Sequence, residues 1–171
     1  GGAESGFGGW IYTYALKMGL GTETSSAYLN SAFWGALMFG RLVAIPLSAK
    51  VNARWLLLAD LAGTLLGVGL ILAAPQSPAA LWAGAMLAGV SMASLFPLSL
   101  SLAREWMTIT GQVNRWFFFG ANLGGMAFPW LIGQMFEPLG PRSAMVTILA
   151  GMLGALVVFG VTMRRVAKTS G

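Results

Sequence analysis

The sequence predicts an all-α fold, a polytopic bundle of six membrane-crossing helices, and three observations carry that prediction. Of 171 residues, 57% are apolar and only 9% charged, where an ordinary soluble domain carries about 25% charged residues. Ten basic and five acidic side chains cannot clothe a water-soluble globule of this size, and the mean hydropathy of +0.75 agrees. Apolar runs at 27–48, 55–74, 79–103, 115–136 and 143–163 are each long enough to cross a bilayer. Twenty residues at about 1.5 Å apiece match the roughly 30 Å hydrocarbon layer. None of them alternates in polarity, as the strands of a membrane barrel must.

The first stretch, 1–17, is apolar with one acid and reads as the back half of a spanning helix. Its opening, Gly1-Gly2-Ala3-Glu4, looks cut from the middle of something longer. Glu4 lies about 20 Å before the outer end of this helix, deep in the bilayer. An ionisable group there is costly unless it is paired, protonated or in a watery cavity. Two roles follow: an acid that contacts a coupling ion or substrate, or a structural acid paired with an Arg outside this chain. Trp10, Tyr12 and Tyr14 follow on the same helix. Flat rings with hydrogen-bonding tips suit a sugar or polyol, and they also suit a core.

On the second helix Asn30, Trp34 and Arg41 fall near one line, since eleven residues bring a helix round to within about 20°. This polar stripe is expected to face the bundle interior, with Arg41 snorkelling or paired with Asp60 on the third helix. Asp60 reads as structural, stabilised near a helix N-terminus. Gly63 and Gly67 on the third helix, and Gly120 and Gly124 on the fifth, are spaced for close backbone approach. Pro97 on the fourth helix and Pro129 on the fifth remove a backbone hydrogen bond and bend their helices. Asn122, mid-helix among glycines, must hydrogen-bond either substrate or another helix. The sixth helix ends in a short polar tail at 167–171.

The connections are short, so neighbours run antiparallel. Lys50, Arg54, Arg104, Arg115, Arg164, Arg165 and Lys168 fall at one end of the bundle, and only Lys17 and Arg142 at the other. Basic residues stay inside, so the C-terminus is expected to be cytoplasmic, in the plasma (cell inner) membrane. With no Cys and no His, thiol chemistry, zinc sites and Ser-His or Cys-His catalysis are excluded, and the scattered acids suggest no metal cage. The basic residues form no continuous face for nucleic acid. An intramembrane enzyme would have to be built from Glu4, Asp60, Arg41 and hydroxyls, and no catalytic residue is assigned.

Several motifs in order resemble the C-terminal half of a major facilitator superfamily transporter, and more closely its fucose–galactose–glucose symporter branch, which includes sodium-dependent glucose transporter-like members. Gly2-Ala3-Glu4-Ser5-Gly6-Phe7-Gly8-Gly9-Trp10 through Tyr14 is similar to the helix-seven signature of that branch. Phe39-Gly40-Arg41 with Lys50 and Arg54 resembles the end of helix eight and its basic loop. Ser94-Leu95-Phe96-Pro97 resembles the helix-ten pattern. Thr110-Gly111-Gln112 and Gly120-Ala121-Asn122-Leu123-Gly124-Gly125-Met126 resemble the approach to helix eleven and its centre. Ala49 and Asn52 stand where the family's basic loop usually has Asp and Gly. The resemblance implies two six-helix halves that alternate access to a site between them, with the N-terminal half absent here. It implies secondary active, ion-coupled transport of a sugar or similar small polar metabolite. No cofactor is expected, and H⁺ or Na⁺ is the candidate coupling ion.

The candidate substrate wall is Trp10, Tyr14, Asn30, Trp34 and Asn122. Glu4 is the candidate coupling group, and Arg41, Lys50, Arg54 and Asp60 are structural or gating. The expected partners are the lipid bilayer, a small-molecule substrate and the other half of the same protein. Transport of another solute class (peptide, drug or organic acid) and a non-transporting membrane assembly subunit remain alternatives, because a fold does not fix a substrate.

Overall fold

The computed structural model describes residues 2–108 and 110–169, with Thr169 by its backbone alone. Among the described residues the regular structure is all helical: α1 Gly2–Lys17, α2 Glu23–Lys50, α3 Ala53–Ala73, α4 Pro78–Met92, α5 Leu95–Trp106, α6 Gly111–Leu139 and α7 Arg142–Thr169. Together α4 and α5 make one traverse, Pro78–Trp106.

Most helices overrun the apolar runs by a few residues, because polar caps rather than hydropathy set their ends. Thr22 and Ser25 cap α2 reciprocally, each side chain taking the other's backbone N–H. Asn52 accepts the Arg54 N–H at 3.1 Å, Ser77 that of Ala80 at 3.2 Å, and Thr110 that of Val113 at 3.3 Å. These bonds satisfy donors that a helix start leaves orphaned. Pro78, at the first position of α4, has no N–H to satisfy. The chain turns out of α6 at Gly140 with φ 86°, a conformation open to glycine at little cost.

The continuous helix expected at 79–103 is broken at Ala93 and Ser94, and Pro97 lies in the first turn of α5 rather than inside a longer helix. A proline ring collides with the carbonyl four residues earlier, here Ala93, so the interruption falls upstream of the proline that causes it.

Packing is closest where α3 crosses α4. A Cβ on Gly67 would come within 2.7 Å of the Gly84 carbonyl oxygen, and one on Gly63 would strike the Ser91 hydroxyl. The Gly63/Gly67 spacing thus serves the approach expected of it. The Gly120/Gly124 spacing does so only in part: Gly120 faces open space, while at Gly124 the backbone of α6 approaches that of α1, where a Cβ on Gly2 would come 2.9 Å from the Gly124 carbonyl oxygen.

The core runs through Phe7, Ile11, Phe33, Ile71, Met92 and Met145, all fully buried. Helix α6 contributes only Ile132 and Phe136 to it. Four traverses, α2, α3, α4–α5 and α7, are long and apolar enough to span a membrane. This is an integral membrane protein. The other two helices, α1 and α6, pack on each other, and the polar cleft lies along them.

Candidate functional site

Helices α1, α2, α5 and α6 converge on an open cleft of about 660 Å³, bounded by Glu4, Arg41, Phe96, Phe118, Asn122 and Gly125 among others. Its charge comes from an ion pair, Arg41 Nη2 to Glu4 Oε1 at 3.6 Å. The carboxylate is largely buried, at 14% exposure, while the guanidinium is 59% exposed. Arg41 therefore offers most of its donors to whatever fills the cleft. The Arg that neutralises Glu4 is on α2 of this chain, not outside it. Pairing of Arg41 with Asp60 does not occur. Asp60 is buried beneath α4–α5 and accepts a hydrogen bond from the Ser94 hydroxyl.

Backbone irregularity adds acceptors here. Pro129 lies inside α6 and has no N–H to give the carbonyl of Gly125, four residues earlier. Gly125 lines the cleft beside Asn122. Non-helical demands of this kind are tolerated at membrane depth where they face a cavity. The Asn122 amide donates to the Phe118 carbonyl one turn back at 2.8 Å, which leaves its side-chain oxygen as an acceptor on an exposed face. Phe96 and Phe118 meet edge to face across the cleft, 5.7 Å between centroids. An ion pair, an amide and two apolar rings together match the mixed surface of a polyol, hydroxyls around C–H faces.

The five-residue wall expected from the sequence is not assembled in one place. Only Asn122 lines this cleft. Trp10 is turned to α6, where its indole N–H donates to the Pro129 carbonyl at 2.9 Å and its ring stacks on Phe136 at 4.9 Å. Tyr14 is fully buried, three turns from Glu4 along α1. Trp34 is 45% exposed and rests its edge on Gly8. Asn30 is partly buried, with its side-chain oxygen unpaired. The α2 stripe fails to face the interior because Leu29, Phe33, Ala36, Leu37 and Gly40 occupy that side. Lys50 ends α2 in an exposed position, and Arg54 opens α3.

The sequence reading missed Phe96, Phe118 and Gly125 as cleft residues. The proline four places after Gly125 is a signal that could have found it. A second, mainly apolar cavity of about 490 Å³ adjoins it, shared by α1, α3, α5, α6 and α7. Glu4 and Phe96 line both spaces, and Ser99 and Trp106 the second one alone.

Against known proteins, the chain is 38% identical over 132 residues to a zebrafish (Danio rerio) protein named sodium-dependent glucose transporter 1. The match covers 77% of this chain and 22% of the relative. It is 29% identical over 160 residues to the human protein of the same name, covering 94% of this chain and 30% of that protein. The chain is a partial segment of the major facilitator type. A further zebrafish relative, major facilitator superfamily domain-containing protein 4A, is 31% identical to this facilitator segment over 154 residues, 89% of the segment and 28% of the relative. The segment thus spans between a fifth and a third of the length of these curated relatives. No family model and no solved structure matches it.

Proposed function

We propose that the segment is the C-terminal six-helix half of a secondary active transporter, carrying a sugar or similar small polar metabolite coupled to H⁺ or Na⁺. The observation that carries this reading is its similarity to proteins named sodium-dependent glucose transporters. The cleft supports it, with a buried acid, a solvated guanidinium, an amide and two rings on one open face. No bond is made or broken in this reading. Substrate and ion shift a conformational equilibrium, and each does so only through its differential affinity for the two states. The exposed side of the cleft then faces the N-terminal half, and the substrate is held between the two. The protein resides in the plasma membrane with its C-terminus in the cytoplasm, as the crowding of basic residues at one end of the bundle suggests.

The test is uptake of labelled hexose by proteoliposomes holding the full-length protein, under an imposed Na⁺ or proton gradient. Gradient-dependent accumulation is expected. Accumulation of another solute class, with hexose excluded, would replace the substrate while keeping the mechanism. Tight hexose-independent assembly with a second membrane protein, with no solute moved, would overturn the reading.

A further inference from the structure

Among the described residues, six polar or charged residues are buried, and four of them, Asp60, Thr64, Ser91 and Ser94, gather at one crossing. Thr64 sits one turn after Asp60 on α3 and donates to the Asp60 carbonyl at 2.8 Å. Ser94, in the break between α4 and α5, donates to the Asp60 carboxylate. The Ser91 hydroxyl lies against Gly63, between the two α3 residues.

Beside them α4 ends at Met92. The carbonyls of a helix's last turn are left without ladder donors, and this end carries the negative pole of the helix dipole. A carboxylate, three hydroxyls and a negative helix end thus share one low-dielectric spot, where unopposed negative charge is expensive.

The nearest cation on α2, Arg41, lines the groove that reaches Ser94 but pairs with Glu4 rather than with Asp60. Among the described residues no cationic side chain pairs with Asp60. No ionisable group lies on α4. On α5 there are Arg104 and Glu105, both exposed near its end, and on α7 Arg142, Arg164, Arg165 and Lys168, all close to its ends. Arg54 lies nearly two turns earlier on α3 itself. Glu4, in contrast, already has Arg41.

We propose that Asp60, Thr64, Ser91 and Ser94, with the terminal carbonyls of α4, form a sodium-binding site at the α4–α5 break. The donor set is all oxygen with a single carboxylate, the chemistry of a hard monovalent ion rather than of a transition metal. A proton would need only one of these oxygens. Half-helix ends and unwound carbonyls are suited to coordinating small cations in membranes. A groove of about 400 Å³ reaches Ser94 past Ser48 and Ser101, with Arg41 on its wall. Because α5 also carries Phe96 into the substrate cleft, an ion that holds the break closed acts on the cleft through one helix. The proposal rests on the ion-coupled reading above and names where that ion sits.

The experiment uses full-length protein, as wild type, Asp60→Asn and Ser94→Ala. Two quantities are read: thermal stability in detergent with sodium chloride against choline chloride, and the sodium dependence of hexose uptake in proteoliposomes. Sodium is expected to raise the melting temperature of wild type. Ser94→Ala should raise the half-saturating sodium concentration about tenfold, and Asp60→Asn should abolish the sodium response. Raising sodium to saturation should restore hexose counterflow in Ser94→Ala, because the two sites are linked, and this milder variant keeps the test readable should Asp60→Asn fail to fold. Wild-type sodium dependence in Ser94→Ala and Asp60→Asn, or a change confined to the pH response, overturns the site. Absence of all hexose transport would instead remove the transport reading, and the sodium-specific melting shift and its loss in Ser94→Ala would still decide the site.

Discussion

Glu4 and Arg41 come from the first two helices and meet with most of the acid covered and most of the guanidinium in the open. An exposed cation tolerates loss of its partner, because water and substrate solvate it, and a neutral amide in place of a largely buried carboxylate removes a charge that is costly to bury. Glu4→Gln in the full-length protein should therefore leave membrane abundance near wild type and cut uptake sharply. Immunoblotting of membranes beside uptake measures both, and loss of abundance with normal uptake per molecule would make Glu4 structural. Trp10 is predicted to behave in the opposite way. Its indole bonds the Pro129 carbonyl and stacks on Phe136, so Trp10→Phe removes a hydrogen bond worth about 1 kcal/mol. A melting temperature lower by about 2–4 °C, with unchanged substrate affinity, is expected from detergent thermal shift and binding assays. Both residues stood out in the sequence because polar groups are rare in it. Their partners did not, since a ring stacked on α6 and a ring facing a cleft have the same helical address.

At the scale of elements, the helices were legible wherever length and apolarity coincided. Their ends were set by Thr22, Asn52, Ser77 and Thr110, cap residues that a hydropathy reading passes over. The break in the fourth traverse was hidden because Pro97 acts on the Ala93 carbonyl, a full turn upstream. Phe96 and Phe118 were hidden for a different reason: in a membrane helix a ring lining a cleft and a ring touching lipid are the same letter. The crossing of α3 and α4 gives the sharpest structural prediction. A Cβ on Gly84 would come 2.5 Å from the Gly67 carbonyl oxygen, backbone that cannot step aside cheaply, and 2.6 Å from the Ile71 side chain. Gly84→Leu should force the two helices apart and sharply reduce folded protein in size-exclusion chromatography. Gly154→Leu, at an open position, should leave it unchanged.

For the whole molecule, alternation of the traverses places Lys50, Arg54, Arg104, Arg115 and the basic end of α7 on one side of the bundle. A reporter active only outside the cytoplasm, fused after the final residue, should stay silent, and a bright signal would reverse the orientation. The uneven apolarity of the helices also bears on how the protein is made. Among the described helices α6 is 29 residues long, yet it is not one of the four traverses apolar enough to span by composition. Its inward face meets α1 through the Trp10 bond and the contact of Gly2 with Gly124. On the ribosome, α1 is complete more than a hundred residues before α6 leaves the exit tunnel. Because α6 packs on α1, it is expected to enter the bilayer against helices already in place rather than against bare lipid. A lesion on the α1 face that meets α6 is then expected to lower the yield of inserted chain in a pulse-chase of membranes, before any question of transport arises.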